Sequence, residues 1–426
     1  MEWVAERGGV TRSNPARQSD DQIMDANLKA KLQKSLDALG AWVENHQYQA
    51  YDPGDGQLSP LRQLAFGKFF PKRLLTAAVL RVPFNIRPWI GIRPHTSTKG
   101  MGYLAWGYTK RFAQSGDRRY AERARYCLDW LIKHRTSKSS HYCWGNHFDF
   151  STRGGTIPAQ EPTIVWSSLI GQAFLEAHQV LGEARYLEVA ASVADWILTL
   201  PREQTPTGAC LSYVAFKQSS IHNSNLLGAA LLAKVGGLTG RAEAIEVARS
   251  AMNYSCSRLN ADGSWFYGDA PMYHWIDNFH TGYNLDSVKR YSEATGDRSF
   301  EAPMRCAFDY FKQTFFETSG RPRYYHDRPY PIDIQCAAQA IDTLSFFSED
   351  DPQALELALQ VAAWTLDHMQ APDGHFYYRD LGWIVIKTPM FHWGQGTMFK
   401  ALANLLGKIE RPARSAAPVP PAGAVR

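Results

Sequence analysis

Residues 295–315 read TGDRSFEAPMRCAFDYFKQTF, and the architecture follows from this stretch. After a Gly-containing turn, Phe300, Met304, Phe308 and Phe311 recur at three- and four-residue steps, while Arg298, Glu301, Arg305 and Asp309 fall between them. That is the period of a helix with one apolar and one wet face. The same opening returns as SGDRRY from Ser115, LGEARY from Leu181, TGRAEA from Thr239 and EDDPQA from Glu349. In the Leu181 copy, Tyr186, Val189, Val193, Trp196 and Ile197 form the apolar stripe. The copies start about 54 to 66 residues apart, longer than one helix hairpin and suited to two helices plus a structured connection.

The second helix of each block has a different character. GYLAWGYTKRF, SSLIGQAFLEAH, NLLGAALLAKVGG and CAAQAIDTLSFF are rich in Gly, Ala and Ser, with apolar residues on most faces, as packing on several sides requires. Six outer helices are expected near 28–46, 118–134, 184–200, 241–258, 298–316 and 352–370. Six inner ones are expected near 97–113, 163–180, 222–237, 280–295, 333–347 and 392–407. The fold class is therefore all-α, an (α/α)6 toroid over residues 25–410 whose N-terminal outer helix closes the ring. Residues 1–24 read as a flexible N-terminal segment, and the Pro- and Ala-rich residues 411–426 as a disordered tail.

Composition excludes several function classes. A net charge of +5 on 426 residues, without a basic stripe interleaved with stacking aromatics, argues against nucleic acid. The six cysteines form no CxxC pair and sit mostly at helix positions, as small apolar side chains rather than disulfides or zinc ligands. No signal-like apolar run or membrane-length segment appears, so cytoplasmic residence is expected. Residues 61–93 carry Arg62, Lys68, Lys72, Arg73, Arg81, Arg87 and Arg93 and no acid. They read either as a connection packed over the barrel with solvated cations, or as a weak contact with an anionic membrane surface at the inner face.

The chemistry is expected where the turns between outer and inner helices gather at one mouth of the ring. These turns are CWGNHFDFSTRGG from Cys143, ACLSYV from Ala209, DGSWFYGD from Asp262, RPRYYHDRPYPID from Arg321 and DGHFYYRDLGW from Asp373. Alternating aromatics bounded by Gly, Pro and Asp predict short β-hairpins and a cup with aromatic walls. The first residues of the inner helices supply a polar floor. One Asp or Asn there is explained by helix capping, but HWIDNFHTGY, residues 274–283, crowds more polar groups than capping needs. Asp277 and Asp333 are the expected acid/base pair, with His280 and His392 as further catalytic groups. His147, His222, Asp277, Asp333 and His392 are expected within one cavity. The expected substrate-binding residues are Trp144, His147, Asp149, Glu161, His222, Asn223, Trp265, Tyr267, Tyr283, Tyr325, Asp327, Tyr378, Arg379 and Trp393.

Such a cup suits sugars, whose C–H faces stack on aromatics while their hydroxyls need donors and acceptors. Hydrolysis, epimerisation and β-elimination all remain open, as does a non-catalytic glycan-binding or assembly role. Turns such as DGSWFYGD are also compatible with the repeat-built rings of terpene cyclases and prenyltransferases. Against that stands the lack of a DxDD run and of a Cys/His/Asp zinc set. No metal or cofactor is called for, and the expected partner is an oligosaccharide or polysaccharide, free or lipid-linked.

CWGNHFDFSTR, IHNSNLLGAALLAKV, WIDNFHTGYNLDSV, YPIDIQCAAQAIDTL, GHFYYRD and FHWGQGTMFKALANLL resemble blocks of VpsJ-type proteins of bacterial exopolysaccharide biosynthesis clusters, over residues 95–407. The resemblance implies an (α/α)6 toroid working among polysaccharide synthesis and export functions. More distantly, that fold is similar to N-acylglucosamine epimerases, unsaturated glucuronyl hydrolases and the helical domain of glucuronyl C5-epimerases. It carries over no catalytic residue. Where the related proteins read Tyr-Pro after the CWG block and Arg before the final Trp, this chain has Asn146–His147 and His392.

Overall fold

The computed structural model describes residues 15–65, 69–152 and 154–410. Its helices in chain order are α1 (Pro15–Asn45), α2 (Phe69–Arg81), α3 (Thr98–Ser115), α4 (Arg118–Lys133), α5 (Ile164–Leu181), α6 (Ala184–Leu198) and α7 (His222–Thr239). They continue as α8 (Ala242–Cys256), α9 (Asn278–Thr295), α10 (Glu301–Thr314), α11 (Ile334–Phe347), α12 (Pro352–Met369) and α13 (Thr397–Glu410). Helices α3, α5, α7, α9, α11 and α13 each touch the next, and α13 returns to α3. Around this inner ring α4, α6, α8, α10 and α12 pack on the inner helix before them, and α1 packs on α13. The fold is an (α/α)6 toroid.

The repeated Gly of SGD, LGE, TGR and TGD has a local cause. Gly116, Gly182, Gly240 and Gly296 end four inner helices at φ 68°, 74°, 70° and 72°, each donating its N–H back to a carbonyl of the last turn. Left-handed backbone at this place favours a residue without Cβ, and it reverses the chain into the outer helix. The fifth copy has no such glycine; Asp351 caps α12 through the Gln353 N–H at 3.0 Å, with Pro352 opening the helix.

The apolar stripe of 295–315 behaves as its period requires, with Phe300, Phe308 and Phe311 buried and Arg298, Arg305 and Asp309 exposed. Tyr186, Val189, Val193, Trp196 and Ile197 are buried in the same way between the two rings. α1 begins at Pro15, well before the expected start near 28, and residues 1–14 and 411–426 lie outside the described residues.

Between outer and inner helices the connections are long, and they all emerge at one mouth. Two hairpins form there: β1 (Phe150–Thr152) with β2 (Gly155–Ile157), and β3 (Arg202–Thr205) with β4 (Gly208–Leu211). β5 (Ile332–Asp333), β6 (Arg379–Asp380) and β7 (Val385–Ile386) make a third small sheet in that order. The connection after α8 makes single bridges in place of a hairpin.

A main-chain girdle ties successive blocks at this rim. Ile164, His222, Asn278 and Ile334 donate their N–H to the carbonyls of Tyr213, Tyr267, Tyr324 and Tyr378 of the following block, at 2.9–3.1 Å. Phe391 closes the circle by donating to Tyr51 at 2.6 Å. Orphan N–H groups at the starts of α5, α7, α9 and α11 and of the turn at Phe391 are satisfied in this way, and the rings of Tyr213, Tyr267 and Tyr324 are placed at the mouth.

Candidate functional site

A cavity of about 450 Å³ opens at the mouth. Its walls come from hairpin β1–β2, from the connections after α6 and α8, and from Tyr324 and Tyr325; His280 reaches it from α9. Phe150, Tyr213, Phe216, Tyr267, Tyr273 and Trp275 are among its lining residues, and no carboxylate lines it among the described residues. Tyr267 and Trp275 stack with ring centres 4.4 Å apart and planes 15° apart, while Tyr273 meets Trp275 edge-on at 6.0 Å. The volume falls in the usual range for small-molecule sites, about 300–1,000 Å³.

His280 is held from behind. Asp277 is buried and caps α9, its Oδ1 accepting the His280 backbone N–H at 3.0 Å. Its Oδ2 accepts the His280 ring N–H at Nδ1, 2.7 Å away, and the Trp275 indole N–H at 2.9 Å. A carboxylate in this place fixes the proton on Nδ1, so Nε2 carries the lone pair. The motif that crowds residues 274–283 is therefore one device: Asp277 caps the helix, orients His280 and steadies Trp275. Desolvation pushes the Tyr213 phenol up to about 12 and that of Tyr267 well above its ordinary range, so both stay protonated hydrogen-bond donors.

Asp333 was expected to be the partner acid; in the structure it lies in a separate network and does not line the aromatic cavity. It is wholly buried and caps α11 through the Gln335 N–H at 2.9 Å. It also accepts the Trp393 indole N–H at 2.8 Å and the Arg379 guanidinium at 2.7 and 2.5 Å. Both guanidinium nitrogens of Arg379 reach the one oxygen Oδ2, and Oδ1 takes the other two donors, so the carboxylate serves as a counter-ion and cap with its acceptor positions filled. Arg379 and Trp393, expected on the substrate, are its partners.

His392 belongs to another group, where the first and last blocks meet. It lies in a π-helical turn, Phe391–Gly396. Asp52 Oδ1 accepts its backbone N–H at 2.9 Å, and Asp52 Oδ2 lies 2.9 Å from its Nδ1. Burial pulls His392 below its ordinary value against the opposing pull of Asp52. His95 sits 3.9 Å from Asp52 and stacks edge-on against His147, whose pKa burial lowers to about 4. Lys99, buried over the rings of Tyr103 and Tyr283, is brought down to about 8 by desolvation. None of these residues lines the aromatic cavity.

The five residues expected in one cavity are thus dispersed over separate networks, and His222 is a further case. It is buried between Asp269, 3.0 Å away, and Ser255, 3.2 Å away. Trp144 and Trp265 are core residues, their indoles donating to the Leu131 and Ser255 carbonyls at 3.0 and 2.9 Å. Asp149 accepts the Ala159 N–H at 3.0 Å, Glu161 pairs with Lys138 at 3.1 Å, and Asp327 pairs with Arg328 at 2.9 Å. Tyr283 shares a 2.7 Å hydrogen bond with Tyr103 inside the barrel, and Tyr378 is buried in a small apolar cluster. Asn223 is buried beside Trp265, Asp277 and His280 in a narrow gap. His280, Tyr267 and Tyr325 are the expected site residues that line the cavity. Sequence reading missed Tyr213, Tyr273, Trp275 and Tyr324, although each lies in or beside a quoted turn.

No protein-family model matches the chain, and no curated protein matches it. Solved structures do. A cellobiose 2-epimerase from Spirochaeta thermophila is similar with a TM-score of 0.55 at 12% identity, covering 74% of this chain and 86% of that one. A GH76 α-mannanase from Bacteroides thetaiotaomicron gives 0.56 at 12% identity, covering 72% and 86%. A possible member of the GH105 family from Salmonella enterica gives 0.55 at 14% identity, covering 72% and 82%. At these identities the likeness establishes the toroid.

Proposed function

We propose that the protein is a glycan-modifying enzyme that moves a proton on a sugar ring through His280, by epimerisation or β-elimination. The observation that carries this reading is the 2.7 Å bond from His280 Nδ1 to Asp277 beside an aromatic cavity that has no carboxylate among its described lining residues. A two-carboxylate hydrolase needs both acids flanking the scissile bond. Here one carboxylate stands behind a histidine, the arrangement of a general base. Nε2 takes a proton from a carbon beside a carbonyl, the C–H electron pair passes into that carbonyl as an enolate, and Asp277 stabilises the imidazolium. A protonated tyrosine of the wall can donate a hydrogen bond to the enolate oxygen. Delivery of a different proton to the opposite face by a second acid, a protonated tyrosine of the wall, inverts the centre, with His280 then releasing its proton and the tyrosine regaining one from solvent; departure of the group on the neighbouring carbon with its bonding pair completes elimination instead.

The fold neighbours that are sugar epimerases support this reading. So does the resemblance to VpsJ-type proteins, which supports a place in bacterial exopolysaccharide biosynthesis, with an oligosaccharide or polysaccharide as substrate and the cytoplasm as its compartment. The test is incubation with neutral and uronic acid oligosaccharides in deuterated water, followed by NMR. Solvent deuterium should enter one ring carbon with the wild type and not with His280→Ala. Tight binding of an oligosaccharide without exchange, inversion or cleavage would make the protein a glycan-binding factor.

A further inference from the structure

We infer that the mouth face of the toroid docks on an anionic lipid bilayer, through the connection between α1 and α3 together with apolar side chains at the rim of the cavity. This inference stands apart from the catalytic reading.

The exposed apolar surface is distributed unevenly. Of the nine large hydrophobic residues exposed among the described residues, seven lie on connections that emerge at the mouth. Leu61, Leu74, Phe84 and Trp89 belong to the α1–α3 connection, with Leu74 at 72% and Trp89 at 79% exposure. Phe216 lies on the cavity wall, and Met272 and Trp383 project from two other turns of the same side. Scattered exposed apolar residues need no explanation, but a grouping on one face does.

The α1–α3 connection is built as a surface. Along α2, Leu74, Ala78 and Arg81 are exposed at four- and three-residue steps, while Thr76 and Val79 are buried. Phe84 and Trp89 follow with ring centres 6.0 Å apart. The Ser59 hydroxyl donates to the Ile90 carbonyl at 2.7 Å, which joins the turn before Leu61 to the one that carries Trp89. Arg62, Arg73, Arg81 and Arg93 are exposed around these side chains, and residues 61–93 contain no acid. Arg87 departs from the expectation of solvated cations: it is buried and donates to both Asp55 oxygens at 2.9 and 2.8 Å. It anchors the connection, and the outer arginines remain for a partner. α2 packs against β1, so the basic face adjoins one wall of the cavity.

Cations without acids ask for an anionic partner, and Trp and Phe beside them suit the headgroup level of a bilayer. Docked in this way, the cavity would open toward sugars carried at the membrane surface.

The full chain should be sedimented with vesicles of phosphatidylglycerol and phosphatidylcholine, and with phosphatidylcholine alone, at low and high salt. It should pellet with the anionic vesicles at low salt and be released as salt screens the arginines. The double variant Arg73→Glu with Arg81→Glu should bind at least about tenfold more weakly. Phe84→Ser with Trp89→Ser should also lose binding, and both variants should melt as the wild type does, since their side chains are exposed. Equal and negligible pelleting with both vesicle types would overturn the proposal, and so would binding unchanged in both variants. A dimer in sedimentation velocity that Trp89→Ser converts to monomer would assign the face to a second copy of the chain, and would also overturn it.

Discussion

Oδ2 of Asp277 lies 2.7 Å from Nδ1 of His280, while Oδ1 of the same carboxylate caps the helix that carries the histidine. Orientation of the base and start of the helix are one feature, and the two roles can be separated by substitution.

His280→Ala should lower the turnover number by about 10²–10⁴-fold and leave the melting temperature nearly unchanged. Asp277→Asn keeps a good capping side chain but weakens the hold on the Nδ1 proton, so it should lower turnover with little loss of stability. Steady-state kinetics and thermal melts on both variants check this. Full activity in Asp277→Asn would reduce the carboxylate to a cap.

Asp333→Asn should act on stability. It removes the counter-ion of Arg379 in a site where the carboxylate side chain is fully buried and the guanidinium 23% exposed. A cost of about 2–4 kcal/mol is expected, reduced from the fully buried case by that exposure. Urea denaturation measures it; a wild-type midpoint with lost activity would return Asp333 to the chemistry.

Acid should destabilise the junction of the first and last blocks. His147 has a folded pKa of about 4 against an ordinary value near 6.5, with burial as the leading cause. The unfolded chain therefore takes up a proton that the folded chain refuses. Stability is complete above about pH 6.5 and falls as pH drops toward 4, by at most about 3 kcal/mol for this group. His392 is shifted in the same direction. Urea midpoints at pH 7.5 and 5 should differ, and His147→Phe should flatten the slope between them. An unchanged slope would show that His147 titrates normally.

Gly182→Ala and Gly296→Ala should each cost about 1–2 kcal/mol. An added Cβ meets nothing within 4 Å at either place, while φ is 74° and 72°, so the cost is conformational alone. Asn at the same positions should recover part of it. Equal stability of the alanine variants in urea would remove the explanation given for the repeated glycine.

The outcome at individual residues follows the range of the forces involved. A left-handed glycine and an apolar stripe act within a few residues, so the twelve-helix ring could be read from TGDRSF and its copies. The same holds for the polar crowding of HWIDNFHTGY, where donor and acceptor are three residues apart. The aromatic richness of the turns was legible as well, but not which rings face the cavity. Trp144 and Trp265 carry the same chemistry as Trp275, and only their partners from other elements send them to the core.

By itself, the sequence determined the toroid and the position of its mouth, because each depends on backbone geometry and side chains close along the chain; it singled out Asp277 and His280 but gave Asp277 the partner Asp333, and the structure shows the contact with His280. Tertiary structure alone decided which acids are spent. Asp333 meets Arg379 46 residues away, and Asp52 meets His392 340 residues away. A buried charge takes its partner wherever the closed ring brings one within hydrogen-bond distance, and that distance is unrelated to separation in the chain.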